Sequence, residues 1–267
     1  MTDESEFHRV AQYVEDEIGF ATSHYNDSYL KRRLSSRMRR TGAGDYGAYQ
    51  QLLSDDPSEE EKLLDALSIN VTGFFRNPDV WKGIREVLRS LSAERDRVHV
   101  WSAACADGRE PYSLAMLAMD DPRVDAEQFR IYGTDINEAS LTTAQEGVYH
   151  STRTVDIAEQ LEFLSNYHAY VDVQDQRFEV TDDVKQHVTF ALHDLINDDP
   201  KYGFDLVVCR NLFIYIDNEY KRPILETIAE SLKPGGYLVI GKAETIPPQL
   251  KTTFDVLDGR LRIYQRD

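Results

Sequence analysis

The sequence predicts an α/β protein with an all-helical N-terminal domain and a doubly wound, mostly parallel sheet that carries a small antiparallel β insertion. Two observations predict the sheet. Strand-like and helix-like segments alternate after Val98, as in "VHVW" followed by "EPYSLAMLAM", and this alternation is typical of parallel sheets covered by helices. The segment "FDLVVC" is continuously apolar, as expected for a strand that is buried on both faces.

The N-terminal third of the chain shows helical patterns instead. "FHRVAQYVEDEIGF" is amphipathic, and "SDDPSEEEKLLDAL" places capping residues and acids ahead of an apolar face, which is the usual order at a helix start. No strand-like alternation precedes Val98. We therefore predict a helical domain over residues 1–78, a linker or helix over 79–97, and the sheet domain over 98–267.

Further elements of the sheet domain follow in order. "FRIYGTDI" and "YLVIGKAE" are strand-like, whereas "NEASLTTAQEGV" and "NEYKRPILETIAESL" are helix-like. Short β-prone pieces separated by polar turns occupy residues 165–187 or so. We interpret them as the antiparallel insertion, which leads into a strand over Val188–Leu192.

The composition argues against several classes of protein. A net charge of −17 disfavours nucleic-acid binding, which depends on neutralising phosphates. Cys105 and Cys209 form no CxxC pair and the seven histidines show no ligand spacing, so we expect neither a disulfide framework nor a metal site. The acidic start "MTDESEFHRV" is unlike a signal peptide, and no apolar run reaches the ~18 residues of a membrane span. We expect a cytoplasmic protein.

One segment is strongly basic within this acidic chain. "YLKRRLSSRMRR" carries six positive charges and no acid, although only nine of the 30 basic residues in the chain are lysine, a bias that suggests adaptation to high salt. Apolar residues recur in it at helical spacing, so one stripe can face a core. The basic face is either a solvated surface or a docking surface for an acidic partner. The predicted docking residues are Lys31, Arg32, Arg33, Arg37 and Arg40.

A cofactor site is expected where the strands of the sheet end, because ligands bind at the carboxyl ends of strands in open α/β sheets. The loop "SAACADG" after the first strand contains small residues that let a ligand approach the backbone. It has a single glycine, Gly108, and therefore lacks the GxGxxG pattern of dinucleotide-binding proteins. Acidic residues beside a helix start would repel a pyrophosphate, and they suit an ammonium or sulfonium group.

Acidic residues follow three of the predicted strands. Asp135 ends "YGTD" and can accept hydrogen bonds from ribose hydroxyls, and Asp194 in "ALHD" can accept one from an adenine amino group. Glu110 offers a negative contact to a charged amino-acid group. This pattern fits S-adenosylmethionine better than NAD or ATP. Helix capping is the alternative, above all for Asp135.

Five motifs in order give nearly the whole chain a resemblance to the chemotaxis receptor methyltransferases of the CheR type. They are "LSINVTGFFRNPDVW", "WSAACADGREPYS", "YGTDIN", "VVCRNLFIYID" and "LKPGGYLVIGKAE". The resemblance implies transfer of a methyl group from S-adenosylmethionine to the γ-carboxylate of glutamates in the cytoplasmic domain of a chemoreceptor. We further expect a monomer that does not insert into the membrane and is recruited to receptor arrays there.

The resemblance also implies which residues form the site. Tyr215 matches a tyrosine near the transferred methyl, and Arg76 matches a cofactor contact. We expect both to be catalytic, with Arg76 orienting a carboxylate through its planar fork. The other implied cofactor contacts are Asn70, Thr72, Glu110, Asp135, Asp194, Leu195, Arg210 and Asn211. Three departures stand out: Arg109 replaces a frequent Glu, Asp194 replaces a common Asn, and "GKAE" replaces Gly-His-Ser-Glu.

The implied chemistry needs no general base, because a glutamate side chain with an unperturbed pKa of about 4.3 is ionised at neutral pH. The enzyme has to hold carboxylate, methyl and sulfur in line and to exclude water. Two alternatives stay open on the sequence alone. One is a methyltransferase for another carboxylate substrate, and the other is a non-catalytic signalling module that binds S-adenosylmethionine.

Overall fold

The computed structural model describes residues 3–68 and 72–267. The chain forms two compact units, of which the first contains the residues up to 69 together with Phe213–Lys221. The second contains residues 70–212 and Arg222–Asp267. Within the described ranges, no helix combines the length and the apolar character that crossing a bilayer requires.

The first unit is helical, as predicted. Its helices are α1 Asp3–Tyr13, α2 Asp27–Thr41, α3 Tyr46–Asp55 and α4 Pro57–Leu67. Asp56 caps α4 by accepting a hydrogen bond from the amide of Ser58 at 3.0 Å, which confirms the start signal. Leu30 and Leu34 of α2 are buried, so the predicted apolar stripe of this helix does face a core.

Arg37 of α2 is buried, contrary to its predicted place on an exposed basic face. Its side chain is only 10% exposed and pairs with Glu59 of α4, whose side chain is 4% exposed. The guanidinium Nε donates to Glu59 Oε1 at 2.9 Å, and the Tyr49 hydroxyl donates to the same oxygen at 2.8 Å. Arg37 therefore links α2 to α4 and is unsuited to docking a partner.

The short segment Phe213–Lys221 belongs to the helical unit, which sequence patterns did not indicate. The amide of Asn26 donates to the carbonyl of Tyr215 at 3.0 Å, and Tyr25 forms an isolated antiparallel bridge with Ile216. The Tyr215 ring lies 4.9 Å from the Tyr29 ring between centroids. The beginning of α2 therefore fixes the backbone that carries Tyr215.

The second unit contains the sheet. In chain order its strands are β1 Val98–Ala103, β2 Phe129–Asp135, β3 Val148–His150, β4 Val171–Gln174, β5 Arg177–Val180, β6 Val188–Leu192, β7 Phe204–Cys209, β8 Leu232–Ile240, β9 Phe254–Asp258 and β10 Ile263–Arg266. Among the described residues, one sheet has the order β6-β2-β1-β7-β8-β10-β9. Its first five strands pair in parallel, whereas β10 pairs antiparallel with β8 and β9. The mostly parallel, doubly wound sheet is confirmed, and β9 and β10 extend it beyond the predicted strands.

Helices accompany the strands as the alternation predicted. They are α5 Pro78–Glu94, α6 Arg109–Asp120, α7 Glu138–Glu146, the short α8 Ile157–Leu161 and α9 Asp182–Lys185, and α10 Asn218–Ser231. Trp81 and Leu88 of α5 share a core cluster with Phe74 and with Val100 of β1. This packing groups residues 72–78 with the sheet unit, whereas the predicted helical domain extended to residue 78.

The remaining strands form the small antiparallel sheet in the order β3-β5-β4. It starts at Val148, immediately after α7, so it begins earlier in the chain than the predicted range of about 165–187. Phe178 and Val180 of β5 are buried and belong to the same core cluster as the strands of the large sheet. The strand predicted over Val188–Leu192 is present as β6.

The pair formed by Arg37 and Glu59 predicts a stability effect. Burial alone would raise the pKa of Glu59, but Arg37 and Tyr49 bring it below the ordinary 4.5. We expect Glu59→Ala to destabilise the protein by about 3 kcal/mol at pH 7, since it leaves a buried guanidinium unpaired. The wild-type advantage should be complete above pH 4.5 and decline as the pH falls through the lowered pKa.

Urea unfolding of wild type, Glu59→Ala and the exposed neighbour variant Glu61→Ala at pH 7 and pH 4 checks this expectation. Glu61 is a matched control because it lies two positions further along α4 and is exposed. Equal losses of unfolding free energy in the two variants at pH 7 would show that the ion pair contributes nothing beyond helix propensity.

Candidate active site

The loop after β1 is shaped by residues with left-handed backbone angles. Ala104 and Ala106 have φ of 55° and 51°, and Gly108 has φ of 85°. A Cβ at Gly108 would lie 2.6 Å from the Cβ of Ala144 in α7 and 2.9 Å from the ring of Phe190. Only glycine fits there. Because it has no side chain, the loop can pack closely against α7 and Phe190.

Asp135 ends β2 and holds this loop. Its carboxylate accepts the amide of Ala106 at 2.7 Å and the amide of Asn137 at 3.0 Å. Burial raises the pKa of Asp135, and these amide hydrogen bonds reduce the rise. The helix-capping alternative for Asp135 is wrong, because Asn137 is the N-cap of α7 and accepts the amide of Ser140 at 2.8 Å.

Glu110 lies in the first turn of α6, with its side chain 12% exposed. The Ser102 hydroxyl donates to Oε1 at 2.9 Å, and the Arg210 guanidinium donates to Oε2 at 3.2 Å. Burial raises the pKa of Glu110, while the charges of Arg210 and Arg76 act in the opposite direction. A carboxylate is thus held at the carboxyl ends of the strands between the Ser102 hydroxyl and the Arg210 guanidinium.

Arg210 follows β7 and connects Glu110 to the segment ahead of α5. Its side chain is 1% exposed. Nη2 donates to the carbonyl of Arg76 at 2.8 Å and to Asn77 Oδ1 at 3.0 Å. The guanidinium also lies over the Trp81 ring, 5.8 Å from its centroid. Arg210, which the sequence predicted to contact the cofactor, is therefore buried and binds three neighbouring groups of the protein.

The segment that carries Arg76 is itself strained. Phe75 and Asn77 have φ of 47° and 62°, values that are uncommon outside glycine. Besides Arg210, the Trp81 indole donates to the carbonyl of Arg76 at 3.0 Å. Backbone strain of this kind persists where the surroundings enforce it, and it concentrates at functional sites. Thr72 is half-buried at the start of this segment, and Asn70 lies outside the described residues.

Asp194 and Leu195 occupy the turn after β6. Asp194 Oδ1 accepts the amide of Ile196 at 2.8 Å, and its Oδ2 accepts the side-chain amide of Asn197 at 2.8 Å. The ring of His193, buried against Trp101, lies 3.2 Å from the carbonyl of Asp199. Asp194 therefore organises this turn, and Leu195 is half-buried beside it.

Asn211, which follows Arg210, also has a left-handed backbone, with φ of 65°. Its amide donates to Glu244 Oε2 at 3.1 Å. Tyr215 belongs to the helical unit, as described above. The structure thus brings Arg76, Glu110 and Arg210 into one connected cluster, with Asn211 next to it along the chain.

Several residues at this edge were not singled out by the sequence. Ser102, Asn77 and Trp81 contact the cluster, yet each type is common in cores and caps, so only the neighbouring motifs could have indicated them. The departure at Arg109 has a local explanation. Arg109 pairs with Asp107 at 2.7 Å, so its charge is matched within the loop.

Two family models together cover nearly the whole chain. The model described as the CheR methyltransferase SAM-binding domain matches residues 70–263, and the model of the CheR methyltransferase all-alpha domain matches residues 5–68. The chain belongs to the CheR methyltransferase family. The cluster at the strand ends therefore lies in the domain of the CheR enzymes that binds S-adenosylmethionine.

Three curated relatives match this CheR chain over most of their own length. It is 34% identical to the chemotaxis protein methyltransferase of Listeria monocytogenes over 245 residues, which cover 91% of each chain. It is 32% identical to the probable chemotaxis protein methyltransferase of Rhizobium etli, covering 91% of this chain and 93% of that protein. The chemotaxis protein methyltransferase of Escherichia coli is 27% identical, with coverage of 90% and 84%.

Proposed function

We propose that this CheR protein transfers the methyl group of S-adenosylmethionine to the γ-carboxylate of glutamates in a chemoreceptor cytoplasmic domain. The single observation that carries the proposal is the cluster of Glu110, Arg210 and Arg76 in the domain matched by the CheR family. The relatives are named as chemotaxis protein methyltransferases, which supports a chemoreceptor as the substrate. We propose that the enzyme works as a monomer in the cytoplasm and is recruited to receptor arrays.

The acceptor groups at the strand ends fit this cofactor. Glu110 is a buried carboxylate that suits the ammonium of an amino acid, and Asp135 suits two ribose hydroxyls. Asp194 and Leu195 form the turn that would border the adenine. Thr72, Arg210 and Asn211 lie on the segments that flank Glu110, and Asn70 completes the proposed set. When bound, the cofactor supplies an electrophilic methyl group on a sulfonium.

The residues of the chain then act by positioning. Arg76 presents a planar fork that can hold a carboxylate with two hydrogen bonds, so we assign it to orienting either the substrate or the cofactor carboxylate. Tyr215 is assigned to orienting the substrate oxygen or the sulfonium. The acceptor glutamate is already ionised. Because the reacting charges cancel during transfer, exclusion of water by buried side chains favours the reaction.

The ribose assignment of Asp135 predicts a loss of affinity. We expect Asp135→Ala to weaken binding of S-adenosylhomocysteine by ~1–3 kcal/mol, because charged hydrogen bonds to the ligand are lost. Titration calorimetry of the wild type, Asp135→Ala and the exposed control Asp172→Ala measures this directly, with thermal unfolding as a check on folding. Wild-type affinity in Asp135→Ala would refute the assignment.

The assignment of Arg76 predicts a loss of rate. We expect Arg76→Ala to slow receptor methylation about 30- to 100-fold, corresponding to roughly 2–3 kcal/mol of lost charged hydrogen bonding. The assay is transfer of labelled methyl to a receptor cytoplasmic fragment, read as methanol released by base. Arg97→Ala, an exposed site nearby in the chain, serves as control. Normal methylation by Arg76→Ala would mean that Arg76 has a packing role only.

The basic face of α2 supports a macromolecular substrate. Lys31 pairs with Glu4 at 2.7 Å, Arg33 lies over the Tyr29 ring, and Arg37 is buried. Arg32 and Arg40 of the predicted set are exposed, as is Arg39. We propose that these exposed arginines attract the acidic methylation region of the receptor. Rim charges of this kind act mainly on association rate and are screened by salt.

Charge reversal tests the docking face. We expect Arg32→Glu/Arg40→Glu to raise the KM for receptor about tenfold at low salt, with a smaller effect at high salt, and to leave affinity for S-adenosylhomocysteine unchanged. The matched control reverses two exposed cations elsewhere, Lys251→Glu/Arg260→Glu. Equal effects of the two double variants would show that only net charge matters. No effect of either would mean that α2 is a solvated face.

A further inference from the structure

The loop after β8 contains the "GKAE" motif, residues 241–244. The last residue of the motif, Glu244, is directed toward the segment that follows β7. Glu244 is only 3% exposed. Its amide donates to the carbonyl of Gly241 at 2.9 Å, so the four residues form a tight turn. Its carboxylate Oε2 accepts the amide of Gly241 at 2.5 Å and the amide of Asn211 at 3.1 Å. One carboxylate oxygen thus joins the segments that follow β7 and β8.

The neighbouring backbone is shaped to receive this carboxylate. A Cβ on Gly241 would lie 2.6 Å from Glu244 Oε2 and 2.9 Å from the amide nitrogen of Asn211. No side chain can be added there without displacing the carboxylate or the Asn211 turn. Burial raises the pKa of the Cys209 thiol at the end of β7, and the charge of Glu244 raises it further.

Asn211 is the residue that this carboxylate constrains. Its backbone is left-handed, with φ of 65°, a conformation that for a non-glycine residue requires support from its surroundings. The preceding residue is Arg210, whose guanidinium binds Glu110, the carbonyl of Arg76 and Asn77 Oδ1. The turn at Asn211 therefore sets where the Arg210 side chain leaves the end of β7.

We propose that Glu244 is a positioning residue for methyl transfer, acting through the Asn211 turn and Arg210 on the segment that presents Arg76. Glu244 contacts the backbone of the site and is not assigned to the cofactor or the substrate. The inference rests on the proposed role of Arg76. This role requires a side-chain oxygen at the end of a Glu-length side chain, where it can accept hydrogen bonds from the amides of Gly241 and Asn211.

Lys242 in the same loop provides a matched control. Its ammonium pairs with Asp79 in the first turn of α5 at 2.6 Å, but the two side chains are 41% and 36% exposed. Exposed ion pairs contribute little, so Lys242→Ala should leave methylation unchanged. The two positions share one loop and differ in burial and in the group that they hold.

The test measures kcat, the KM for S-adenosylmethionine, the Kd for S-adenosylhomocysteine and the Tm in a set of variants. Glu244→Gln keeps an oxygen that can accept both amides and should stay within about threefold of wild type. Glu244→Asp, shorter by one methylene, and Glu244→Ala should each lower kcat about tenfold or more, through loss of hydrogen bonds to Asn211 and Gly241. The KM for the cofactor should change by less than about threefold.

Some outcomes would overturn the proposal. Normal kcat in Glu244→Asp or Glu244→Ala would do so, and so would a Gln variant as slow as Asp. If Glu244→Ala does not fold, the Gln and Asp variants decide, because both keep a polar side chain at the position. If a rise in the Kd for S-adenosylhomocysteine accounts for the whole rate effect, Glu244 would be assigned to cofactor binding instead.

A double-mutant cycle separates this proposal from the proposed role of Arg76. In an Arg76→Ala background, Glu244→Ala should lower kcat by less than about twofold further, since coupled residues are not additive. Full additivity would overturn the route through Arg76. If Arg76→Ala alone methylates the receptor at the normal rate, the proposed role of Arg76 is wrong, and so is the proposal that Glu244 acts through Arg76. If Glu244→Asp is then still slow while Glu244→Gln is normal, the Asn211 turn must position another group.

Discussion

The buried pair of Glu110 and Arg210 is the interaction on which the rest of the site depends. The two residues are 100 positions apart in sequence, yet β1 and β7 are adjacent and parallel, so the segments that follow them meet at one edge. A carboxylate that burial makes harder to ionise needs a nearby cation to stay charged. Arg210 provides that cation, and its Nη2 also donates to the carbonyl of Arg76 and to Asn77 Oδ1.

Backbone strain is concentrated at the same edge. Of the seven non-glycine residues with positive φ in the described chain, five lie in the segments that form the candidate active site: Phe75, Asn77, Ala104, Ala106 and Asn211. Each loop is held by a buried side chain from elsewhere in the unit. Asp135 accepts the amide of Ala106, Arg210 binds Asn77, and Glu244 accepts the amide of Asn211. The acidic residues therefore shape the site as well as offering groups to a ligand.

Charge in the helical unit follows a similar logic. The basic stretch of α2 looks uniform in sequence, but its residues have different environments. Arg37 joins α2 to α4 through Glu59, and Lys31 joins α2 to α1 through Glu4. In a chain with net charge −17, acids are available nearby to pair with many of these cations. Only Arg32, Arg39 and Arg40 of this stretch are exposed, so any docking surface on α2 has fewer cations than the sequence pattern suggested.

The sequence by itself determined the class of the fold, since alternating apolar segments and a buried strand at "FDLVVC" require a parallel sheet. It also determined that acidic residues lie at the carboxyl ends of the strands, because these residues directly follow the strand segments in the chain. Such residues suit a charged nucleoside ligand. Tertiary structure alone decided which partners those acids have. The burial of Arg37 and the grouping of Tyr215 with the helical unit depend on contacts between segments that are 22 or more residues apart, and local periodicity carries no information about such contacts. The link from Glu244 to Asn211 is of the same kind, because 33 residues separate the carboxylate from the amide that it holds.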